Sequence, residues 1–245
     1  MEDRRSDKEY TEGISIEKNK FLKWLDNYWY HYKWVTIIFA FFVVVGIICT
    51  VQMCNKEQND LIVVYAGPVT LSTEEANDIS RIFESLAPAD FDGDGQKNIA
   101  INDFSILSEE QVREQQKQTG EDGKPVFVDN SYNSKQYETY GNYILTGESS
   151  IMLLDPWLYQ TLVSGDRLMN VSETLGYTPE GAYGAYGVRL GDTKLYENYA
   201  VMKLLPEDTV ICLMKPYVAG NSSDDEYYER EKAMFGALVG FGKEN

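Results

Sequence analysis

Residues 34–55 contain no charged side chain, and residues 34–49 are apolar apart from Thr36. Because a helix rises about 1.5 Å per residue and a bilayer core is about 30 Å thick, about 20 apolar residues are needed to cross it. The run is longer and more uniformly apolar than a core helix of a soluble domain, and it is also longer than the apolar part of a signal peptide. We therefore predict a permanent single-pass transmembrane helix over residues 34–53.

Lysine and arginine residues predict the orientation of this helix, since they are enriched on the cytoplasmic side of a membrane. Lys18, Lys20, Lys23 and Lys33 lie shortly before the span, whereas Lys56 is the only basic residue between the span and Arg81. We therefore expect residues 1–33 to be cytoplasmic and the C-terminal part to be extracellular, with the protein located at the cell membrane.

The net charge of −17 belongs entirely to residues 54–245, because residues 1–33 are neutral overall. Such an excess of acid disfavours binding to nucleic acid and to anionic lipid, and it favours attraction of divalent cations. Ordinary solubility is an alternative reason for the charge. We therefore expect the protein to contact the lipid bilayer through its apolar span, and not through the acidic domain.

Residues 21–34 place aromatic and apolar side chains at helical spacing with lysines between them. Tryptophan and tyrosine favour the headgroup layer of a membrane, so this segment is predicted to form an interfacial helix at the cytoplasmic surface. A docking helix for a membrane protein partner is the alternative.

Residues 54–60 read as a short polar tether, and residues 61–245 as one extracellular α/β domain. The continuous apolar run 61–65 is typical of a strand buried on both faces, as in a parallel sheet. Ser72 is predicted to cap the following helix, and residues 98–104 alternate as a second strand. Strand, helix and strand begin an α/β unit, so we expect a mixed, mainly parallel sheet.

Further along the chain, capping residues and apolar runs predict the remaining elements. Ser108 and Gln111 form a capping box before a short exposed helix, and Asp155 with Pro156 starts a helix directly after a strand. The predicted helices cover residues 134–145, 156–163 and 225–238. The predicted strands cover residues 150–154, 184–190 and 209–214. The three cysteines do not form a disulfide framework, and Cys212 is expected to be a buried thiol.

One loop carries the pattern of a calcium site. Asp90, Asp92 and Asp94 alternate and Gly95 follows, which matches the first half of a calcium-binding loop. The backbone carbonyl of Gln96 is the next expected ligand. Position 12 of the loop is an isoleucine within a strand, so the site is not a helix–loop–helix; Asp103 is a candidate for the missing carboxylate. We predict a structural Ca²⁺ here, and a solvated acidic turn is the alternative.

The sequence predicts that the domain is not an enzyme. Residues 54–245 lack histidine, which removes Ser-His-Asp catalysis and most zinc sites, and they contain no phosphate-binding glycine loop. Aromatic residues instead suggest a ligand cleft, formed by Trp157, Tyr159, Tyr183 and Tyr186 near a glycine-rich segment. Ordinary packing of loops by tyrosine is the alternative.

Three segments resemble extracellular solute-binding proteins of bacterial ABC importers. In residues 146–176 a Gly-Glu step ends a helix, a buried strand ends in Asp, and a helix and a leucine-rich stretch follow. The run 61–65 resembles the first strand of that family, and residues 185–190 resemble the strand before its chains cross between lobes. The resemblance implies that the domain has the fold of one lobe, or of a shortened pair of lobes.

Together, these features predict a membrane-anchored, non-enzymatic extracellular domain that binds a small solute or a protein partner. The alternative is a structural or accessory subunit of a membrane complex, in which the span and the segment before it make the important contacts.

Overall fold

The computed structural model describes residues 9–54, 59–119, 123, 125–216 and 220–242. Residues 1–8 of the predicted cytoplasmic segment and residues 55–58 of the predicted tether lie outside this description. The chain divides into two compact units, Met1–Glu57 and Gln58–Asn245.

The first unit is one helix, α1, which runs from Glu9 to Cys54. Its stretch Leu22–Thr50 is long and apolar enough to cross a membrane. A long apolar N-terminal helix is therefore confirmed. The helix continues through Lys33 and Trp34, so the predicted interfacial segment and the predicted span are parts of one element. At 1.5 Å per residue α1 is about 69 Å long, about twice the thickness of a bilayer core.

The second unit contains both strands and helices, as the sequence predicts. Its elements are β1 Leu61–Gly67, α2 Thr73–Leu86, β2 Ile99–Ser105, α3 Glu109–Lys117, α4 Asn130–Thr146, β3 Ile151–Leu154, α5 Pro156–Ser164, α6 Val171–Leu175, β4 Ala182–Tyr183, β5 Gly187–Arg189, α7 Lys194–Asn198, β6 Val210–Leu213 and α8 Asp225–Gly240. The short helices α6 and α7 were not predicted, because five residues do not establish a helical period.

Six strands form one sheet in the order β2-β1-β3-β6-β5-β4. β1 pairs in parallel with β2 and with β3, whereas β6, β5 and β4 join through antiparallel pairs. The α/β class and the mixed sheet are confirmed, but only two of the five strand pairs are parallel, so the prediction of a mainly parallel sheet is wrong. The turn between β4 and β5 is too short for a crossover, and Gly184 takes a left-handed φ of 66° there, so residues 184–190 form the end of a hairpin and not one long strand.

Helices cover both faces of this sheet. Ile79 and Phe83 of α2 pack with Phe235 of α8 against one face, and Tyr140 of α4 packs with Leu158 of α5 against the other. All five side chains are buried. β1 therefore lies between two apolar layers, which explains its continuous apolar sequence.

Side-chain caps fix where the helices begin. Ser72 and Ser108 each form the predicted capping box, and Asp155 accepts the Trp157 N–H at the start of α5. α4 starts earlier than predicted because the Asp129 carboxylate caps it, and it ends at Gly147 in the left-handed conformation. These caps place two helix starts, those of α3 and α5, beside the carboxyl ends of the strands.

Candidate functional site

The acidic loop lies at the amino ends of β1 and β2. Both carboxylate oxygens of Asp90 accept backbone hydrogen bonds, one from Gly93 and one from Gly95, each over 2.8 Å. Asp92 and Asp94 accept the N–H groups two residues further on, over 2.9 and 2.7 Å. Gly93 and Gly95 have φ values of 79° and 92°, which only glycine adopts readily. The predicted loop therefore curls around its own carboxylates.

A residue outside the predicted loop completes the acidic cluster. Asp60, just before β1, has oxygens that accept the N–H groups of Asp92 and Asn98, each over 3.2 Å. One oxygen from each of Asp60, Asp90 and Asp92 lies within 4.8 Å of the other two. Three carboxylates at this spacing suit a hard divalent cation, which prefers oxygen ligands.

The pKa values of Asp60 and Asp90 shift in opposite directions. Burial raises the pKa of Asp60, which is 4% exposed, and the charges of Asp92 and Asp90 raise it further. The N–H groups of Gly95 and Gly93 lower the pKa of the half-buried Asp90. Asp60 is the buried carboxylate of this cluster, and burial disfavours its charged form. A nearby cation would offset that cost and stabilise the charged form of Asp60.

The structure does not bring Asp103 to this cluster. It lies within β2 opposite Tyr65, four residues beyond the start of the strand, which corresponds to about 13 Å along it. The strand direction carries Asp103 away from the loop, so Asp60 replaces it as the additional carboxylate. Asp94 and Gln96 are exposed members of the loop.

Asp60 could have been found from the sequence by extending the parallel pairing. Leu61 pairs with Ile99, so the residue before β1 lies beside the residue before β2, and the Asp60 N–H donates to the Asn98 carbonyl over 2.8 Å. Finding Asp60 in this way requires knowing the register between β1 and β2. The local pattern of aspartates gives no information about that register.

The four aromatic residues predicted to line a cleft do share one cluster, on the face covered by α4 and α5. Tyr159 is only 3% exposed, and its hydroxyl donates to the Tyr183 carbonyl over 2.9 Å. Arg189 lies over the Tyr183 ring at 5.0 Å, and Tyr186 packs against the same cluster. In this arrangement Tyr159 and Tyr183 fasten the β4–β5 hairpin to the sheet.

Trp157 occupies a more accessible position in that cluster. Its indole ring is half-buried and stacks on Tyr137 of α4, with 5.8 Å between ring centroids and 21° between ring planes. Its backbone N–H donates to Asp155 over 3.1 Å. Trp157 therefore joins the aromatic cluster to the carboxyl end of β3.

The chain leaves β1 and β3 in opposite directions at the carboxyl edge of the sheet. From β1 it continues to β2 on one side, and from β3 it continues toward β4, β5 and β6 on the other. In open α/β sheets, a crevice forms where neighbouring connections diverge in this way, and ligands commonly bind there. Sequence reasoning missed this position because it depends on strand order.

Asp155 lies at this divergence. It follows β3, its N–H donates to the Ala66 carbonyl over 2.8 Å, and its side chain is buried. One carboxylate oxygen accepts the Trp157 N–H and the other accepts Nε2 of Gln111 over 2.8 Å. Burial raises the pKa of Asp155, and the charge of Asp208 adds to the increase.

Tyr65 brings a hydroxyl group to the same end of the sheet. Its ring is fully buried, and its oxygen accepts the Val69 N–H over 3.3 Å. Burial raises the pKa of Tyr65 far above its usual range, and the charges of Asp155, Asp103 and Asp208 contribute. The phenol therefore stays protonated among three acidic residues, and it can donate a hydrogen bond.

Comparison with known proteins gives no match, whether with family models, with curated proteins or with solved structures.

Proposed function

We propose that this chain is a single-pass membrane protein whose acidic α/β domain lies outside the cell and binds a small solute or a protein partner without catalysis. The apolar stretch Leu22–Thr50 supports the anchor, and the lysines before it support a cytoplasmic N-terminus. The domain contains no histidine, which supports a binding function over acid–base catalysis near neutral pH.

The observation that carries this proposal is the divergence of the chain after β1 and β3, with Asp155 and Tyr65 beside it. A buried carboxylate and a neutral hydroxyl offer an acceptor and a donor at the place where open α/β sheets bind ligands. The proposed ligand therefore carries a hydrogen-bond donor or a positive charge for Asp155.

Calcium has a supporting role in this proposal. The cluster of Asp60, Asp90 and Asp92 lies at the amino edge of the sheet, whereas Asp155 lies at the carboxyl edge. A cation at the first position would brace the starts of β1 and β2 and would not contact the proposed ligand. We therefore expect calcium to change stability more than ligand affinity.

The test is a thermal-shift screen of the full-length protein in zwitterionic nanodiscs against amino acids, peptides, polyamines and sugars. A ligand at 100 times its Kd stabilises the folded state by about 2.7 kcal/mol, which corresponds to a rise in Tm of about 5 °C or more. The expected result is a ligand whose shift disappears in Asp155→Asn and persists in Asp224→Asn. Asp224 caps α8 in the same way, so it controls for the loss of a cap.

The proposal fails if none of these compounds shifts the melting curve, or if both variants lose the shift equally. Asparagine also caps helices, so Asp155→Asn keeps the start of α5 while it removes the charge and the oxygen that accepts the Gln111 Nε2–H.

A role as a subunit of a membrane complex is the second candidate, and α1 provides the observation that favours it. Trp24, Tyr28 and Tyr32 stack in a row with centroid distances of 5.8 and 5.4 Å, and all three are exposed. Replacing residues 22–50 with an unrelated apolar helix tests this candidate. If the protein is a subunit of a membrane complex, the replacement should abolish its function but leave unchanged the rise in Tm that a ligand of the domain causes.

A further inference from the structure

The outer edge of β2 is an open side of the sheet. β2 is the last strand in the order and pairs with β1 alone among the described strands. The register runs without interruption from the pair Leu61–Ile99 to the pair Gly67–Ser105. At about 3.3 Å per residue, β2 thus presents about 23 Å of backbone whose outward N–H and C=O groups have no partner strand in the described residues.

Most sheets protect such an edge, but the described residues of this sheet protect only the β4 edge and leave the β2 edge open. Proteins shorten edge strands, bend them with bulges, or place lysine or proline in them, because an open edge recruits further strands. β4, at the opposite edge, has only two residues. β2 has seven residues, neither lysine nor proline, and one charged side chain, Asp103. The seven-residue edge is therefore available for pairing.

A groove continues this edge beyond the end of β2. It has a volume of about 340 Å³ and lies between α3 and α4, with Leu107, Val112, Gln116 and Asn133 among its lining residues. Asn133 accepts the Leu107 N–H over 2.8 Å and donates to the Leu107 carbonyl over 2.9 Å, which fixes the floor of the groove. A strand added to β2 would reach this groove with its last side chain.

Acidic residues border the edge along its length. Asp92 and Asp94 precede β2, Asp103 lies within it, and Glu109 and Glu110 follow it. Two basic residues lie next to these acids, and one of them pairs with Glu109, which leaves the other four acids to attract a basic partner. Lys97 donates to the Ala87 carbonyl over 2.6 Å, and Arg113 pairs with Glu109 over 3.0 Å.

We propose that the outer edge of β2 is a strand-addition surface for an extended segment of another protein that carries lysine or arginine near its ends. Backbone hydrogen bonds would supply affinity, the groove between α3 and α4 would receive one side chain, and the acidic border would select a basic partner. A second copy of this chain presents the same acidic border, so charge repulsion disfavours it as the occupant. This surface does not include Asp155 or Tyr65, which mark the proposed ligand position, although Asp103 lies opposite Tyr65 in the pairing of β1 with β2.

The experiment measures binding of a labelled peptide to the full-length protein in zwitterionic nanodiscs by fluorescence anisotropy. The probe is as long as β2, alternates threonine and valine, and has lysine at both ends. A second peptide has glutamate at both ends, and a third is the lysine peptide with alternate backbone nitrogens methylated. We expect the methylated and the glutamate peptides to bind at least about tenfold more weakly.

Asp103→Lys tests the position of the surface, and Glu229→Lys is its control. Both exchange one exposed or half-exposed acid for lysine, but Glu229 lies on α8, away from β2. We expect Asp103→Lys to weaken binding of the lysine peptide about tenfold and Glu229→Lys to leave it unchanged. Asp103→Asn should give an intermediate loss.

Four results would overturn the proposal. The first is no binding of the lysine peptide, and the second is equal binding of its methylated form. The third is an equal loss of affinity in both lysine variants, which would indicate general charge attraction. The fourth is self-association of the protein without peptide, measured by sedimentation, that changes in Asp103→Lys. That result would assign the edge to a second copy of the chain.

Discussion

Gln111 donates Nε2–H to the carboxylate of Asp155 over 2.8 Å, while its own Oε1 accepts the Ser108 N–H over 2.7 Å. One amide therefore links the start of α3 to the start of α5. No residue of α3 is buried, so this bond is a main tie between the helix and the carboxyl edge of the sheet.

Replacing Gln111 should loosen this tie without unfolding the domain. Gln111→Ala removes a hydrogen bond to a charged group, so we expect the free energy of unfolding to fall by about 2 kcal/mol. Trp157 is the only tryptophan after residue 34, so its fluorescence reports on this region once the other three tryptophans are replaced by phenylalanine. Urea unfolding of that protein measures the loss.

Gln115→Ala is the control for this prediction, because Gln115 lies on α3 and is also half-buried. Acrylamide should quench Trp157 more strongly in Gln111→Ala than in Gln115→Ala. Equal quenching in the two variants would contradict a specific tie between α3 and α5.

Local features of this fold were predictable, and features that depend on strand order were not. Ser72, Ser108 and Asp155 could be recognised as caps because capping depends on three or four neighbouring residues. The pairing of Asp60 with Asn98 depends on two strands that are 38 residues apart in sequence. The burial of Tyr159 likewise depends on the hairpin of β4 and β5, of which the sequence predicts one strand, over residues 184–190, but not its partner.

Calcium should stabilise the protein through Asp60, not through Asp103. We expect millimolar Ca²⁺ to raise the Tm of the full-length protein by about 2–4 °C, and EDTA to reverse the change. Asp60→Asn and Asp92→Asn should each abolish the increase, because each removes a carboxylate of the cluster. Asp103→Asn is the matched control and should keep the full increase. A loss in Asp103→Asn with retention in Asp60→Asn would reverse the assignment.

The calcium effect should weaken as the pH falls. The raised pKa of Asp60 means that protons begin to compete with calcium above the usual carboxyl value of about 4. Without calcium, the folded state holds this proton more tightly than the unfolded state, so the contribution of Asp60 to the free energy of unfolding falls as the pH rises through the same window. Melting curves from pH 4 to 7, with and without calcium, should therefore diverge toward neutral pH.

Glu231 should be a structural residue of α8. It is completely buried, and its carboxylate accepts the Ser150 N–H at the start of β3. Glu231→Ala leaves that buried N–H without this acceptor and opens a cavity, so we expect a loss of about 3 kcal/mol in the free energy of unfolding. Glu231→Gln keeps an oxygen acceptor and should lose less than half as much. Equal losses in urea unfolding would show that the hydrogen bond is unimportant.

Gly187 and Gly141 should respond to alanine in opposite directions. A Cβ atom at Gly187 would lie 2.4 Å from Cγ1 of Val210 and 2.9 Å from the Tyr159 ring, whereas a Cβ atom at Gly141 would meet no atom within 4 Å. Gly187→Ala therefore overpacks the contact between β5 and β6, and we expect it to destabilise the domain by about 2 kcal/mol. Gly141 lies within α4, where alanine favours the helix by about 1 kcal/mol. Urea unfolding of both variants tests this; a stable Gly187→Ala would show that the β4–β5 hairpin can move away from Tyr159.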